Sequence, residues 1–231
     1  MNPSLDWLRQ VAVRLGDLRE DVVFLGGTVA GLLMTDPIAF GVRPTDDVDV
    51  IVEATTVTAE IALREQLRRL GFKEDTSEDA PLCRWIVDTI RVDIMPTTDA
   101  ALGFSNRWYP AAFVHATPHR LDDLTTIRVV TAPFFLATKL EAFAGRGKND
   151  YQASHDLEDM VALVDGRPQL DAEVAASGAE LREYLAARLG GLLDEPSFQD
   201  ALPGHLRPDR ASQARRGLII ERLTRLAGRT A

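Results

Sequence analysis

The chain has 231 residues, 45% apolar and 26% charged, an ordinary globular composition long enough for one large domain or a domain with a helical extension. Its net charge of −9 argues against indiscriminate nucleic-acid binding, because proteins that coat phosphates are usually basic. One cysteine, Cys83, excludes disulfide frameworks and cysteine-rich zinc sites within the chain.

The N-terminal run carries Asp6 and Arg9 and has no continuous apolar core, so no signal peptide is apparent. No apolar stretch approaches the ~20 residues of a membrane span. A cytoplasmic protein that does not enter membranes is expected. Residues 5–18 place Leu5, Leu8, Val11, Ala12, Leu15 and Leu18 on one helical stripe. Val22-Val23-Phe24-Leu25 reads as a buried strand, Gly26-Gly27-Thr28 breaks it, and residues 29–34 open a helix. Asp47-Val48-Asp49-Val50-Ile51-Val52 is a second strand. Residues 56–70 form an amphipathic helix ended by Gly71. Residues 82–88 and 90–95 are two strands joined by a tight connection, with Cys83 a small core filler on the first of them. A further strand is predicted at 127–130, and helices at 133–144, 154–164, 178–193 and 210–227. The expected organisation is α/β, a mixed sheet flanked by helices over residues 1–131, followed by a helical region over 132–231.

The chemistry begins with the second strand. Side chains alternate along a strand, so Asp47 and Asp49 point the same way, opposite Val48, Val50 and Val52. Paired carboxylates on one face repel, and burial raises the cost of ionising both. A divalent cation would neutralise them; the alternative is a solvated edge strand. Asp93, between Val92 and Ile94, supplies a third acid if its strand lies beside the first two. Three acids without interleaved His or Cys suit Mg²⁺, with Mn²⁺ as an alternative, better than zinc. Two such ions about 3.5–4 Å apart would serve in-line phosphoryl or nucleotidyl displacement. Successive glycines at 26 and 27 would let backbone approach a phosphate, while Thr28 either caps the helix or binds a phosphate oxygen.

In the helical region, Leu136, Leu140 and Phe143 form an apolar face beside Lys139, which either snorkels to water or contacts phosphates as a point charge. Arg146 and Lys148 sit in what reads as a flexible basic loop. Ser154 is a plausible N-cap that places Asp156 in a first helical turn, while Asp159 is expected to turn toward solvent. His155 reads as a surface residue. His115 and His119 have helical metal spacing, but Pro118 lies between them and no acid partner is evident. From His205 onward seven arginines face only Asp209 and Glu221, a local charge of +5 that could steer RNA.

Taken in order, Gly26-Gly27-Thr28, Arg43-Pro44-Thr45-Asp46-Asp47-Val48-Asp49, Asp93, Thr138-Lys139-Leu140-Glu141, and Ser154-His155-Asp156-Leu157-Glu158-Asp159 resemble the nucleotidyltransferase fold of the DNA polymerase β superfamily. Within it they are most similar to AbiEii-type toxin nucleotidyltransferases. The similarity spans roughly residues 24–167; His155 stands where the family's fourth motif often has lysine. The resemblance implies Mg²⁺-dependent transfer of NMP from an NTP, with Asp47, Asp49 and Asp93 as metal ligands. It adds Lys139 and Asp156 as catalytic residues, and Gly26, Gly27, Thr28, Arg43, Thr45, Lys139 and Arg146 around the NTP. The helical region would complete that active site. It further implies toxin-like use, a tRNA 3′ end as acceptor and a cognate antitoxin as partner.

Two other readings compete. A strand, glycine turn and helix followed by an acid about 20 residues on also describes a Rossmann dinucleotide binder, although the G-x-G-x-x-G spacing is missing and Asp93 is left unexplained. An inert relative that binds a partner through its Arg-rich C-terminal helix is the non-enzymatic alternative.

Overall fold

The computed structural model describes residues 3–39, 41–43, 45–54, 56–98, 106–147 and 149–230. The apolar run Val22-Val23-Phe24-Leu25 lies near the middle of the sheet. Strand β1 (Val22–Leu25) is buried at every position. It pairs antiparallel with β2 (Asp47–Val52) on one side and parallel with β7 (Thr126–Val129) on the other. Burial of every position means that both faces of the strand are covered, as a continuously apolar strand requires. The remaining strands are β3 (Lys73–Glu74), β4 (Arg84–Val87), β5 (Ile90–Pro96) and β6 (Thr117–Arg120), and the seven-stranded order is β3-β4-β5-β2-β1-β7-β6.

The sheet is mixed: β2 runs parallel to β5, while β4 and β5 form an antiparallel hairpin. Because β1 and β2 are antiparallel, the doubly wound parallel sheet of a dinucleotide binder is excluded. β2 is also flanked on both sides, so Asp47 and Asp49 do not lie on an edge strand. Around these strands lie α1 (Pro3–Leu15), α3 (Val57–Arg69) and α4 (Tyr109–Val114). The Thr56 hydroxyl caps α3 by accepting from the Ala59 amide at 3.1 Å. The short helix α2 (Gly27–Leu33) follows β1 directly.

The helical residues comprise α5 (Ala132–Arg146), α6 (His155–Gly166), α7 (Leu170–Ala175), α8 (Ala179–Asp194), α9 (Pro196–Ala201), α10 (Arg210–Ala214) and α11 (Arg216–Leu226). The chain forms two compact units: residues 1–29 with 44–131, and residues 30–43 with 132–231. The second unit thus recruits a segment from between β1 and β2. Arg167 donates to the Leu33 carbonyl, and Arg215 reaches Asp36 at 2.8 Å.

Several elements differ from expectation. The strand that begins at Arg84 leaves Cys83 in the preceding turn, although the thiol is buried and the Cys83 carbonyl accepts from the Ile94 amide at 2.9 Å. The C-terminal helix is broken at Arg215, whose side chain is drawn to Asp165 and Asp36. β6 is half-polar and mostly exposed, which is why periodicity missed it. No helix among the described residues is long and apolar enough to cross a membrane.

Candidate active site

The parallel register of β2 and β5 pairs Asp49 with Asp93, and the antiparallel register of β4 and β5 pairs Asp93 with Arg84. Directly opposed residues project to the same face of a sheet. Asp49, Asp93 and Arg84 therefore form a row across three strands, with Asp47 two residues along β2 on that same face. Opposite it, Val48, Val50, Val92 and Ile94 are buried in the core.

Asp49 is packed against the glycine turn. Gly26 has φ of +74°, and a Cβ built there would lie 1.9 Å from the Asp49 Oδ2. The left-handed backbone and the absent side chain are both needed for the strand carboxylate to reach the bend. Thr28, in the first turn of α2, is 2% exposed, and Thr45, two residues before Asp47, is 5% exposed. Neither Oγ1 has a hydrogen-bond partner among the described residues. Thr28 therefore does not cap α2 through its hydroxyl, and two buried oxygens are available for polar contact near the ends of β1 and β2.

Arg84 is the residue that sequence reasoning missed. Its Nε and Nη2 donate to the two Asp93 oxygens at 2.8 Å each, and Nη2 also donates to the Asp47 Oδ2 at 3.2 Å. The hydrogen bonds to Asp93 raise the guanidinium pKa further above its already high value, against the opposing effect of burial. The repulsion that the sequence assigns to a cation is thus met in part by an arginine. The signal was available: a two-residue turn at Asp88-Thr89 between Val87 and Ile90 forces Arg84 opposite Asp93. Burial and the neighbouring Asp93 push the Cys83 thiol up to about 12, so it is an inert core group rather than a nucleophile.

The donor chemistry fits a hard divalent cation: Asp47, Asp49 and Asp93 offer only carboxylate oxygens. Among the described residues, however, no three acidic, histidine or cysteine side chains are arranged as an open coordination set. Arg84 donates to both oxygens of Asp93 and to one of Asp47.

A second charged centre lies wholly within the helical unit. Lys139 on α5 is 8% exposed and ion-pairs with Asp156 at 3.3 Å and Asp159 at 2.6 Å. It does not snorkel to solvent. Asp159, expected to turn outward, is instead 1% exposed, and it also pairs with Arg43 at 3.2 Å. The correction has a simple cause. α6 is covered on most of its circumference, with Leu157, Met160, Val161 and Val164 all buried, so Asp159 has no route to water and takes two cations.

The expected loop at Arg146 is the last turn of α5, and Arg146 donates to both Asp156 oxygens at 3.1 and 3.2 Å. Burial opposes ionisation of Asp156, but Lys139 and Arg146 outweigh it and hold its carboxyl below the usual range. Ser154 caps α6 as expected, accepting from the Leu157 amide at 3.3 Å. His155 is exposed beside Glu158. Pro44 and Lys148 lie outside the described residues.

The Arg-rich C-terminus is largely engaged internally. Arg215 binds Asp165 and Asp36, Arg222 donates to the Val164 and Asp165 carbonyls, Arg225 pairs with Asp171 and Glu221, and Arg229 pairs with Asp194. Those four arginines contribute to the packing of the helical unit.

A mixed sheet with three acids on its central strands, followed by a helical unit, defines an α/β fold of the nucleotidyltransferase type. A family model described as nucleotidyl transferase AbiEii toxin of type IV toxin–antitoxin systems matches residues 11–228, and the chain belongs to that family. No curated protein gives a match. The family is one of nucleotidyltransferase-type toxins of type IV toxin–antitoxin systems.

Proposed function

We propose that the protein transfers a nucleoside monophosphate from an NTP to an acceptor hydroxyl with the help of a divalent cation, Mg²⁺ before Mn²⁺. The acceptor hydroxyl loses its proton to solvent as its oxygen attacks the α-phosphorus, the bond from that phosphorus to the bridging oxygen breaks, and pyrophosphate leaves with the electron pair. The observation that carries this reading is the row of Asp47, Asp49 and Asp93 on one face of adjacent parallel strands, closed at one end by Gly26.

Asp47 and Asp49 would hold the cation, with Asp93 as the third ligand. Bound there, the cation supplies positive charge to the phosphates and favours ionisation of the attacking hydroxyl. The buried hydroxyls of Thr28 and Thr45 are the polar groups we assign to phosphate oxygens. The family resemblance assigns phosphate contact as a point charge to Lys139, which ion-pairs with Asp156 and Asp159. Asp156 orients that lysine and Arg146.

A tRNA 3′ end is the acceptor we favour, and a cognate antitoxin is the partner that membership of a toxin–antitoxin family supports. The test incubates the protein with each α-³²P-labelled NTP, Mg²⁺ and total RNA or lysate, then locates the label. Label on an RNA 3′ end is the expected result. Absence of transfer to every acceptor, together with absence of NTP binding, would falsify the enzymatic reading.

A further inference from the structure

We infer that Arg84 is an internal counter-ion that a divalent cation must displace from Asp93 and Asp47, a positioning residue that holds the carboxylate face together in the cation-free protein. This rests on the metal-dependent reading above. Arg84 is placed by strand register rather than by a loop: the hairpin sets it opposite Asp93, itself opposite Asp49. Its side chain is 18% exposed and that of Asp93 12%. Both Asp93 oxygens accept from one planar guanidinium, a bidentate geometry that only arginine provides. The third bond reaches across to Asp47 on the neighbouring strand.

The other arginine of this hairpin does not share the task. Arg91, although paired in register with Asp47, is turned to Asp46, donating to its carbonyl at 3.2 Å and ion-pairing at 3.3 Å. Arg84 is therefore the hairpin guanidinium that meets Asp93 and Asp47. Guanidinium keeps its charge at any ordinary pH, so it cannot make room for a cation by losing a proton. A divalent ion entering beside it meets like-charge repulsion at close range, and the repulsion is relieved only when the side chain swings away. Cation binding and movement of Arg84 are then one event.

The experiment measures Mn²⁺ binding by calorimetry and by Mn²⁺ electron paramagnetic resonance on the full chain after stripping with EDTA. Parent, Arg84→Gln, Arg84→Lys and Asp49→Asn proteins are compared, and thermal melting is followed with and without Mn²⁺. Arg84→Gln is expected to bind Mn²⁺ at least about tenfold more tightly than the parent, since the competing charge is gone. It should also melt at lower temperature in EDTA and gain more from Mn²⁺ than the parent does. If Arg84→Gln does not fold, Arg84→Lys decides: a lysine cannot span both Asp93 oxygens and Asp47, so its Mn²⁺ affinity should exceed the parent's. Equal or weaker Mn²⁺ affinity in the Arg84 variants, with binding lost in Asp49→Asn, overturns the counter-ion role and leaves the metal site standing. Absence of Mn²⁺ binding in parent and variants alike overturns both.

Discussion

The carboxylate of Asp49 occupies the space that a side chain on Gly26 would need, with only 1.9 Å between its Oδ2 and the Cβ position. The glycine turn and the acidic strand are thus one device, because β1 and β2 are paired with Leu25 opposite Asp49.

Gly26→Ala should therefore fail at two levels. The residue has φ of +74°, strained for alanine, and its methyl would push the Asp49 carboxylate aside. A loss of about 1–3 kcal/mol is expected from the backbone conformation, measured as a shift in urea midpoint. NMP transfer should fall further than that destabilisation explains. Wild-type activity in a folded Gly26→Ala protein would show that the position of Asp49 is unimportant.

Asp49→Asn separates chemistry from folding. The amide keeps the size of the carboxylate against Gly26 while removing its charge, so the fold should persist, measured by the urea midpoint. Transfer of labelled NMP should drop by about two orders of magnitude or more, as a lost cation ligand demands. Retained transfer would remove Asp49 from the site.

Asp159→Asn is expected to be a folding mutation. The carboxylate is 1% exposed and faces Lys139 and Arg43, so its loss leaves buried cations short of charge. A cost of about 3–5 kcal/mol follows, measured by chemical denaturation. Unchanged stability would mean that the pairs are weaker than their burial implies.

Arg215→Ala tests the assignment of the C-terminal arginines to packing. Asp165 is fully buried and Arg215 lies 2.6 Å from it, so truncation leaves an uncompensated interior carboxylate. Destabilisation of about 3 kcal/mol is expected. A variant as stable as the parent but deficient only in RNA binding would return this segment to a recognition role.

His205 supplies a pH dependence. Burial lowers its pKa below the ordinary 6.5, although Nε2 donates to the Tyr151 carbonyl at 2.8 Å. The unfolded chain then binds the extra proton more readily than the native one. The stabilising difference is fully present above pH 6.5 and is lost as pH falls through the lowered native value. Urea midpoints between pH 7.5 and 5 should fall less in His205→Asn than in the parent, once carboxylate titration common to both is subtracted. Parallel curves would show that His205 does not contribute.

Much of this architecture was readable from residue order. The unbroken apolar run Val22-Val23-Phe24-Leu25 has to be an interior strand, and the alternation around Asp47 and Asp49 sets both acids on one face. Ser154 two positions before Asp156 marks the start of a helix that duly begins there. Those are local facts, governed by the periods of strand and helix and by the chemistry of caps. Which strands become neighbours is a different kind of fact. The pairing of β2 with β5 sets Asp93 beside Asp49, and the β4–β5 hairpin brings Arg84 onto both Asp93 and Asp47. Helix packing likewise buried Asp159, which its sequence position had suggested would face water. Partnership between distant charges depends on register and burial, and these exist only once the chain has folded.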